Sequence, residues 1–538
     1  MIYRIYFKLF LISVLLLISA ILWIFYNNKS NKRPLFELKT IHVVFLLAIL
    51  FLLRFVFMED LEANVDTSTW LSSMIAINHY PSWLWTLLNY TDSRPLTVLP
   101  LVIASWTGIP IGYVASESIG LFFMLGSALL LYKSLNLYLE KTAGLLILWS
   151  FGLFLATNFA TDYIAYNSEQ FSVFMLSITV YGYLSYLKTH WNKSIISFAI
   201  GIILGSLLYI KFQNVPMGLL VAFMLGLEFI KRKAWKNVSL LALGGILPTL
   251  LVNIYYFSNG ELMTFWNNYF WNYFYYSYTT QFVDVPMSRR FSPAYISEFI
   301  YADHGAKTYF LAISFLIFFA FLTSVKTWMS GRNRQFSSLI FSFVFVLVSL
   351  YAILQSGTAF EHYKIYMLIP LTLFFGVLLS ASSSASQHIL VSILLLVCTF
   401  QAGWNIKIKE RSSPEPFVGT DNKVIDLIKR HSSENEPIVV WGWSDRLYVR
   451  ANRPMGYRDS HSFHFSLKSA LLPTWTKDFI SDMETNKSPI FIDSMIPYYS
   501  TFGEYFLAHD EVPAIKKYID QHYTLIETVD KVRLYQRK

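Results

Sequence analysis

The sequence predicts a mainly α-helical integral membrane protein with about twelve transmembrane helices, further interfacial helices and a small C-terminal α/β domain. Three observations lead to this prediction. Of the 538 residues, 55% are hydrophobic and 14% are charged, whereas soluble domains carry about 25% charged residues. Apolar runs long enough to span a bilayer, about 17–25 residues each, recur along the first three quarters of the chain. After about residue 412 polar residues return, and helix and strand patterns alternate.

Hydropathy places the spans at 7–26, 41–57, 113–135, 143–160, 170–187, 195–210, 215–230, 238–257, 308–325, 336–354, 364–380 and 388–404. The first run is too long for a signal-peptide core and lacks a small-residue cleavage site, so we expect a retained span. The single Cys398 lies inside an apolar run, which excludes a disulfide framework and a cysteine-based metal site. Basic loops explain the net charge of +9, so we expect no nucleic-acid partner.

Lysine and arginine concentrate in alternate connections between the spans. They fill the loops around 29–39, 188–193, 231–236 and 326–334, which the positive-inside rule places in the cytoplasm. The external segments are then 58–112, 161–169, 211–214, 258–307, 355–363 and everything after Trp404. The same rule places the N-terminus on the external side, although the positive charges of Arg4 and Lys8 favour the opposite orientation.

The first external loop is acidic. We interpret Glu59, Asp60 and Glu62 as a solvated face beside the membrane. Two semi-apolar pieces within the loop, Trp70–Leu88 and Pro95–Ile111, are expected to lie along the membrane interface as helices.

The tail is expected to be an external soluble α/β domain covering 412–538, after a polytopic catalytic domain covering 1–411. Its predicted elements are a helix at Asp421–His431, strands at Pro437–Trp443 and Ser488–Ile492, a helix at Val512–His522, and a closing hairpin of Leu525–Val529 with Lys531–Gln536.

Four external elements carry polar residues that hydropathy does not require. They are Asn64–Thr69, Thr161–Gln170, Lys211–Pro216 and Phe360–Lys364. Because they share one side of the membrane, their acids and bases could converge on a single anionic substrate.

These motifs, in this order, resemble the polytopic glycosyltransferases of the GT-C fold, near the protein O-mannosyltransferases and the aminoarabinose transferases of lipid A. Such enzymes place an Asp, often followed by Glu, in the first external loop, where this chain has Asp66 followed by Thr67. The remaining matches are Ser93-Arg94-Pro95-Leu96, Tyr166-Asn-Ser-Glu169, Lys211 with Gln213 and Pro216, and His362-Tyr363 before Leu368-Ile369-Pro370. The resemblance covers essentially the whole length.

The resemblance implies an enzyme that moves a sugar from a polyprenyl-phosphate donor to a lipid, glycan or protein acceptor. The reaction would take place at the external or periplasmic face of the inner or plasma membrane, in the biosynthesis of cell-envelope polysaccharide or glycoconjugate. Asp66 would be the general base of an inverting direct displacement. Glu169 would orient the substrates or assist the base.

The remaining site residues are expected to bind the substrate. Lys211 and Arg94 would hold the donor phosphate, with Gln213, His362 and Tyr363 completing the substrate site. Binding of a divalent cation between Asp66 and Glu169 stays an open alternative. The sequence has no His or Cys cluster that would form a dedicated metal site. Membrane lipids are the other expected partners.

Simpler structural roles stay open for the same residues. Asp66 could cap a helix, Glu169 could be a first-turn acid favoured by the helix dipole, and Lys211 could snorkel from a span end. Arg94 could anchor an interface, and His362 could make a structural hydrogen bond. The aromatic stretch Trp266–Tyr278 is interpreted as an interfacial belt rather than a sugar platform. The functional alternatives are a glycan ligase or polymerase that uses a lipid-linked oligosaccharide, and a non-catalytic lipid-carrier transporter or flippase.

Overall fold

The structure, a computed structural model, describes residues 2–27, 40–80, 95–191, 193–271, 285–302, 305–329, 336–358, 360–409, 418–466, 469–495 and 507–538. The chain divides into two compact units. The first comprises 1–58, 117–252 and 285–410, and the second comprises 59–116, 253–284 and 411–538. Parts of two predicted external loops therefore belong to the same unit as the C-terminal tail.

The described helices are α1 (Ile2–Asn27), α2 (Thr40–Phe55), α3 (Val65–His79), α4 (Pro95–Trp106), α5 (Tyr113–Leu135), α6 (Lys141–Thr157), α7 (Thr161–Ile164), α8 (Ser168–Thr189), α9 (Ser194–Ser206), α10 (Val215–Lys231), α11 (Trp235–Ser258), α12 (Leu262–Trp266), α13 (Met287–Arg290), α14 (Pro293–Tyr301), α15 (Lys307–Met329), α16 (Phe336–Leu354), α17 (Ile365–Leu379), α18 (Ser384–Ile408), α19 (Val418–His431), α20 (Arg446–Ala451), α21 (Leu472–Asn486) and α22 (Pro513–His522). The strands are β1 (Ile438–Trp441), β2 (Ile490–Asp493), β3 (Tyr523–Val529) and β4 (Val532–Arg537).

Many of these helices have the length and composition of membrane spans. Within the described ranges, eight helices are long and apolar enough to cross a bilayer: Ile5–Asn27, Tyr113–Leu135, Phe212–Lys231, Trp235–Ser258, Lys307–Val325, Phe336–Leu354, Glu361–Leu379 and Ser384–Ile408. Four shorter apolar helices are Thr40–Phe55, Pro95–Trp106, Lys141–Thr157 and Ser194–Tyr209. The predicted span at 170–187 coincides with α8, which serine, threonine and tyrosine side chains make less apolar. The prediction of a mainly helical integral membrane protein is confirmed.

The first unit contains helices in very close contact. A Cβ atom added at Gly205 of α9 would lie 2.1 Å from the backbone oxygen of Gly245 in α11, and one at Gly201 would lie 2.3 Å from the Leu241 oxygen. Only glycine permits this approach, as is common where small residues line helix contacts in membranes.

The tail of the second unit forms a four-stranded sheet with the order β1-β2-β4-β3. β1 and β2 are parallel, with Ile438 opposite Ile490, whereas β4 is antiparallel to both β2 and β3. The β3–β4 hairpin closes through Asp530 and Lys531, which both have positive φ angles, as a two-residue type I′ turn requires. All the predicted tail elements are present, with boundaries shifted by a few residues.

Both faces of this sheet are covered, because successive strand residues point to opposite sides. Ile438 and Val440 pack with Val424 and Ile428 of α19 on one face. Val439 and Trp441 pack with aromatic and aliphatic residues of α21 and α22 on the other. Ala76 of α3 joins the first of these cores, so the first acidic loop contributes directly to the packing of the tail.

Candidate active site

Three of the four polar elements that the sequence predicts to be external meet in the first unit. The Lys211 ammonium lies 2.5 Å from the Glu169 carboxylate and 4.6 Å from the centre of the Tyr363 ring. The neighbouring His362 places its Nδ1 atom 3.6 Å from the Asp162 carboxylate. The structure therefore brings Glu169, Lys211, His362 and Tyr363 into one cluster, which also contains Asp162.

Local sequence explains where each side chain of the cluster sits. Asn167 precedes α8, and its backbone N–H donates to the Gln170 side chain at 3.3 Å, so Glu169 falls in the first turn. Lys211 has an extended backbone between two 3-10 turns, Leu207–Tyr209 and Phe212–Asn214. Another 3-10 turn, Glu361–Lys364, carries His362 and Tyr363 and leads into α17.

Burial is high throughout this cluster. Glu169 is fully buried, while the Lys211 side chain keeps 21% of its surface exposed. Ser168 donates a second hydrogen bond to Glu169 at 3.0 Å. A buried carboxylate requires such compensation, so Glu169 holds Lys211 by one oxygen and Ser168 by the other.

Gln213 adds an amide to the same turn as Lys211. It is buried, and its Oε1 atom has no hydrogen-bond partner among the described residues. The neighbouring Asn214 donates to Ser172 of α8 at 2.8 Å, which fixes this turn against the helix of Glu169. The cluster thus combines a partly exposed cation with a buried amide.

A second ion pair, Arg54–Glu117, lies in the first unit and was missed by sequence reasoning. Arg54 Nε lies 2.8 Å from Glu117, and Nη1 donates to the carbonyl of Asn158 at 2.5 Å. The sequence does contain a signal for this pair, because Arg54 and Glu117 each lie inside an apolar run and charged residues within membrane spans usually pair. This pair ties α2 to α5 and to the end of α6.

Asp66 belongs to the second unit, in the first turn of α3, where it is half-buried. Asn64 caps this helix, because its side chain accepts a hydrogen bond from the backbone N–H of Asp66 at 2.9 Å. The alternative of Asp66 as the capping residue is therefore wrong, since Asn64 already occupies that position.

Residues of the tail hold α3 at several points. Thr69 donates to Asp445 at 2.5 Å and accepts from the Trp443 indole at 3.2 Å. On the preceding loop, Glu62 lies 3.6 Å from Arg446 and accepts a hydrogen bond from Ser68. The interpretation of Glu62 as a solvated acid is therefore wrong, because an arginine far along the sequence buries and pairs it.

Burial also changes the acidity of this region. Burial raises the pKa of the Glu62 carboxyl, and the charge of Arg446 opposes that rise. Burial raises the pKa of Asp445 to about 6, despite the hydrogen bonds from Thr69 and Ser460 that favour its charged form. The charge of His461 also opposes the rise in the pKa of Asp445, and the nearby Asp459 adds to it.

The structure does not test two of the predictions about the site. Arg94 and the part of the aromatic stretch after Trp271 lie outside the described residues. Asp66 and Glu169 belong to different units, so a divalent cation shared by them stays a prediction.

Within the described ranges, one group of acids and histidine is close enough to hold a metal, namely Asp493, His509 and Asp510. Arg533 already pairs with both of these aspartates, at 2.5 and 2.8 Å.

Comparison with known proteins identifies the fold. No protein-family model and no curated protein matches the sequence. The apo structure of ArnT from Cupriavidus metallidurans, an aminoarabinose transferase, matches with a TM-score of 0.57 and 12% identity, over 92% of this chain and 98% of ArnT. ArnT bound to undecaprenyl phosphate matches with a TM-score of 0.53 and 11% identity, over 93% and 98%. An oligosaccharyltransferase of Archaeoglobus fulgidus in the apo form gives a TM-score of 0.47 and 11% identity, over 85% and 70%. The chain therefore has the GT-C fold of polytopic membrane glycosyltransferases.

Proposed function

We propose that this chain is a membrane glycosyltransferase that transfers a sugar from a polyprenyl-phosphate donor to an acceptor at the external membrane face. The observation that carries the proposal is the fold match over nearly the full length of both chains, to an enzyme crystallised with undecaprenyl phosphate. In this proposal the acceptor is a lipid, glycan or protein of the cell envelope. The C-terminal tail of this chain lies on the external side of the membrane.

The ion pair of the first unit is suited to binding a phosphate. A sugar phosphodiester already has a good leaving group, so the enzyme must stabilise negative charge rather than donate a proton. Lys211 supplies the charge from a partly exposed position, and Glu169 positions the ammonium. Gln213, His362 and Tyr363 complete the donor site in this proposal, and a phosphate-binding role of Arg94 stays a prediction from the sequence.

The reaction is a single displacement. The acceptor hydroxyl oxygen attacks C1 of the sugar as the C1–O bond to phosphate breaks, and the configuration at C1 inverts. The hydroxyl proton passes to the Asp66 carboxylate, and polyprenyl phosphate leaves as the anion. A positioned base of this kind contributes about 10²–10⁴-fold in rate. A divalent cation at Asp66 is a further proposal, for which metal removal by a chelator is the direct test.

The test is transfer of labelled sugar from polyprenyl-phosphate donors by the full-length protein in liposomes. Asp66→Asn is expected to lower kcat by about 10²-fold or more, because the base is lost while the side-chain volume is kept. Asp60→Asn is the matched control, since Asp60 is an exposed acid of the same loop. We expect this control to keep wild-type activity.

The other outcomes are equally informative. Full activity of Asp66→Asn would remove Asp66 as the base and direct attention to another acid. Transfer only of preassembled oligosaccharide would identify a ligase or polymerase. Movement of the lipid carrier across the bilayer, with no sugar transfer from any donor, would reject the transferase in favour of a flippase.

A further inference from the structure

A pocket of about 860 Å³ lies in the first unit, where α6 ends, α15 begins and α18 ends, and neither Glu169 nor Lys211 lines it. Its outer wall is an apolar stripe of α18 made by Leu396, Phe400, Trp404 and Ile408. These residues recur every four positions, so they lie on one face of the helix. Phe400 is 74% exposed and Leu396 is 70% exposed, on a helix long and apolar enough to span a bilayer. The pocket therefore borders the surface that faces lipid.

The inner wall carries polar groups that protein atoms leave unsatisfied. Asn158 is 3% exposed, and its Oδ1 atom accepts a hydrogen bond from Ala160 at 3.1 Å. Its Nδ2 atom has no partner in the part of the chain that the structure describes, and the same holds for Oε1 of Gln401. Buried amides normally find a hydrogen-bond partner, so the Asn158 Nδ2 donor indicates a ligand that carries an acceptor group at this wall.

The rim of the pocket is cationic. Lys409 lines it, with its Nζ atom 5.4 Å from the centre of the Phe159 ring. Lys8 of α1 donates to the carbonyl oxygens of Lys407 and Lys409, so three lysines meet at this end of the bundle. The positive-inside rule predicts few lysines on the external side. The carbonyls at the end of α18 hold Lys8, and Lys409 is the lysine of this group that lines the pocket.

We propose that this pocket binds an anionic glycerophospholipid of the surrounding bilayer. Its phosphate lies at Lys409 and Asn158, and an acyl chain follows the stripe from Trp404 to Leu396. This inference does not depend on the transferase activity.

The spacing of polar groups favours a glycerophospholipid over a polyprenyl phosphate. Gln401, Asn405 and Lys409 follow one another at intervals of four residues, or about 6 Å along the helix. A glycerophospholipid has ester carbonyls at a comparable depth below its phosphate, and the Gln401 amide nitrogen can donate to them, whereas Asn405 Nδ2 already donates to the Thr157 carbonyl at 2.9 Å. A polyprenyl chain has no polar atom at that depth.

The test measures lipid binding by the full-length protein in detergent, using native mass spectrometry and lipid-dependent thermal shifts. The probes are phosphatidylglycerol, phosphatidylcholine, polyprenyl phosphate and inorganic phosphate. We expect phosphatidylglycerol to bind wild type more tightly than phosphatidylcholine. Lys409→Gln is expected to weaken the binding of phosphatidylglycerol about tenfold, because one charge-assisted contact is lost.

Two further variants keep the test decisive. Lys236→Gln, at an exposed lysine at the start of α11, is the matched control and should bind phosphatidylglycerol as wild type does. Asn158→Leu keeps the lysines but removes the buried amide, and should also weaken binding. Equal binding of phosphatidylglycerol by wild type and both pocket variants would overturn the proposal. Preferential binding of polyprenyl phosphate that Lys409→Gln abolishes would also overturn it, and would assign the pocket to the carrier lipid.

Discussion

The buried Asp445 should make the second unit less stable at neutral pH than in mild acid. Its side chain is 1% exposed, and Oδ2 accepts hydrogen bonds from Thr69 at 2.5 Å and Ser460 at 2.7 Å. The Oδ1 atom has no hydrogen-bond partner among the described residues. Burial raises the pKa of Asp445 from 3.8 to about 6. The folded state therefore binds this proton more tightly than the unfolded state.

The sign and size of the effect follow from linkage. The contribution of Asp445 to stability is greatest below pH 3.8, falls as the pH rises towards 6, and stays lower above that value. The difference between the two pKa values corresponds to about 3 kcal/mol, at about 1.36 kcal/mol for each pKa unit. Asp445→Asn has the same shape without the charge, and its Oδ1 atom can accept from both Thr69 and Ser460. We expect this variant to be up to about 3 kcal/mol more stable than wild type at pH 8.

The assay is thermal unfolding of the detergent-solubilised full-length protein between pH 4 and 8. Intrinsic fluorescence includes a signal from the second unit, because Trp441 and Trp475, two of the 15 tryptophans, are buried in its core. The advantage of Asp445→Asn should shrink as the pH falls, because wild-type Asp445 then takes up its proton. Asp426→Asn, at an exposed acid of α19, should leave the pH profile unchanged. An Asp445→Asn variant that is less stable than wild type at pH 8 would refute the reasoning, since ionised Asp445 would then be a net stabiliser.

Two other predictions concern packing in the first unit. Glu169→Gln should lower the unfolding temperature by leaving the Lys211 ammonium without its carboxylate, and adding Lys211→Met should restore part of the loss. A double-mutant cycle should give a coupling of about 1–3 kcal/mol, and additive effects would mean that the ion pair contributes nothing. Gly205→Ala should cost about 1–3 kcal/mol in thermal unfolding, since its Cβ atom would lie 2.1 Å from the Gly245 oxygen. Gly226→Ala, with no atom within 4 Å, should be neutral or stabilising, and equal losses at both glycines would contradict the role of close packing.

Hydropathy placed a helix at each of the twelve predicted spans, and eight of those helices are long and apolar enough to cross a bilayer, because helix length and composition are local properties. The predicted run at 388–404 lies within α18, and that at 336–354 coincides with α16. The tail elements were also predictable, since periodicity of two or of 3.6 residues is written in short windows. The hairpin of β3 and β4 is an example, because its strands are joined by only two residues.

Pairings between distant segments could not be predicted in the same way. Glu62 and Arg446 are separated by 384 residues, and nothing near Glu62 in the sequence indicates that an arginine buries it. The same applies to Arg54 and Glu117, whose partnership depends on how α2 and α5 pack. The cluster of Glu169, Lys211 and Tyr363 was easier to anticipate, because one side of the membrane limits which loops can meet.

The contacts of α3 bear on how Asp66 could act as a base. A catalytic group must be held within a fraction of an ångström of its productive position, and rigid elements do this better than loops. Thr69 stands one turn after Asp66 and is fixed by Asp445 and Trp443 of the tail. The Glu62–Arg446 pair fixes the chain just before the same helix. If Asp66 is the base, substitutions in the tail that loosen these contacts should lower kcat although their side chains touch no substrate. The tail would then serve catalysis through the position of α3, in addition to any contact that it makes with the acceptor.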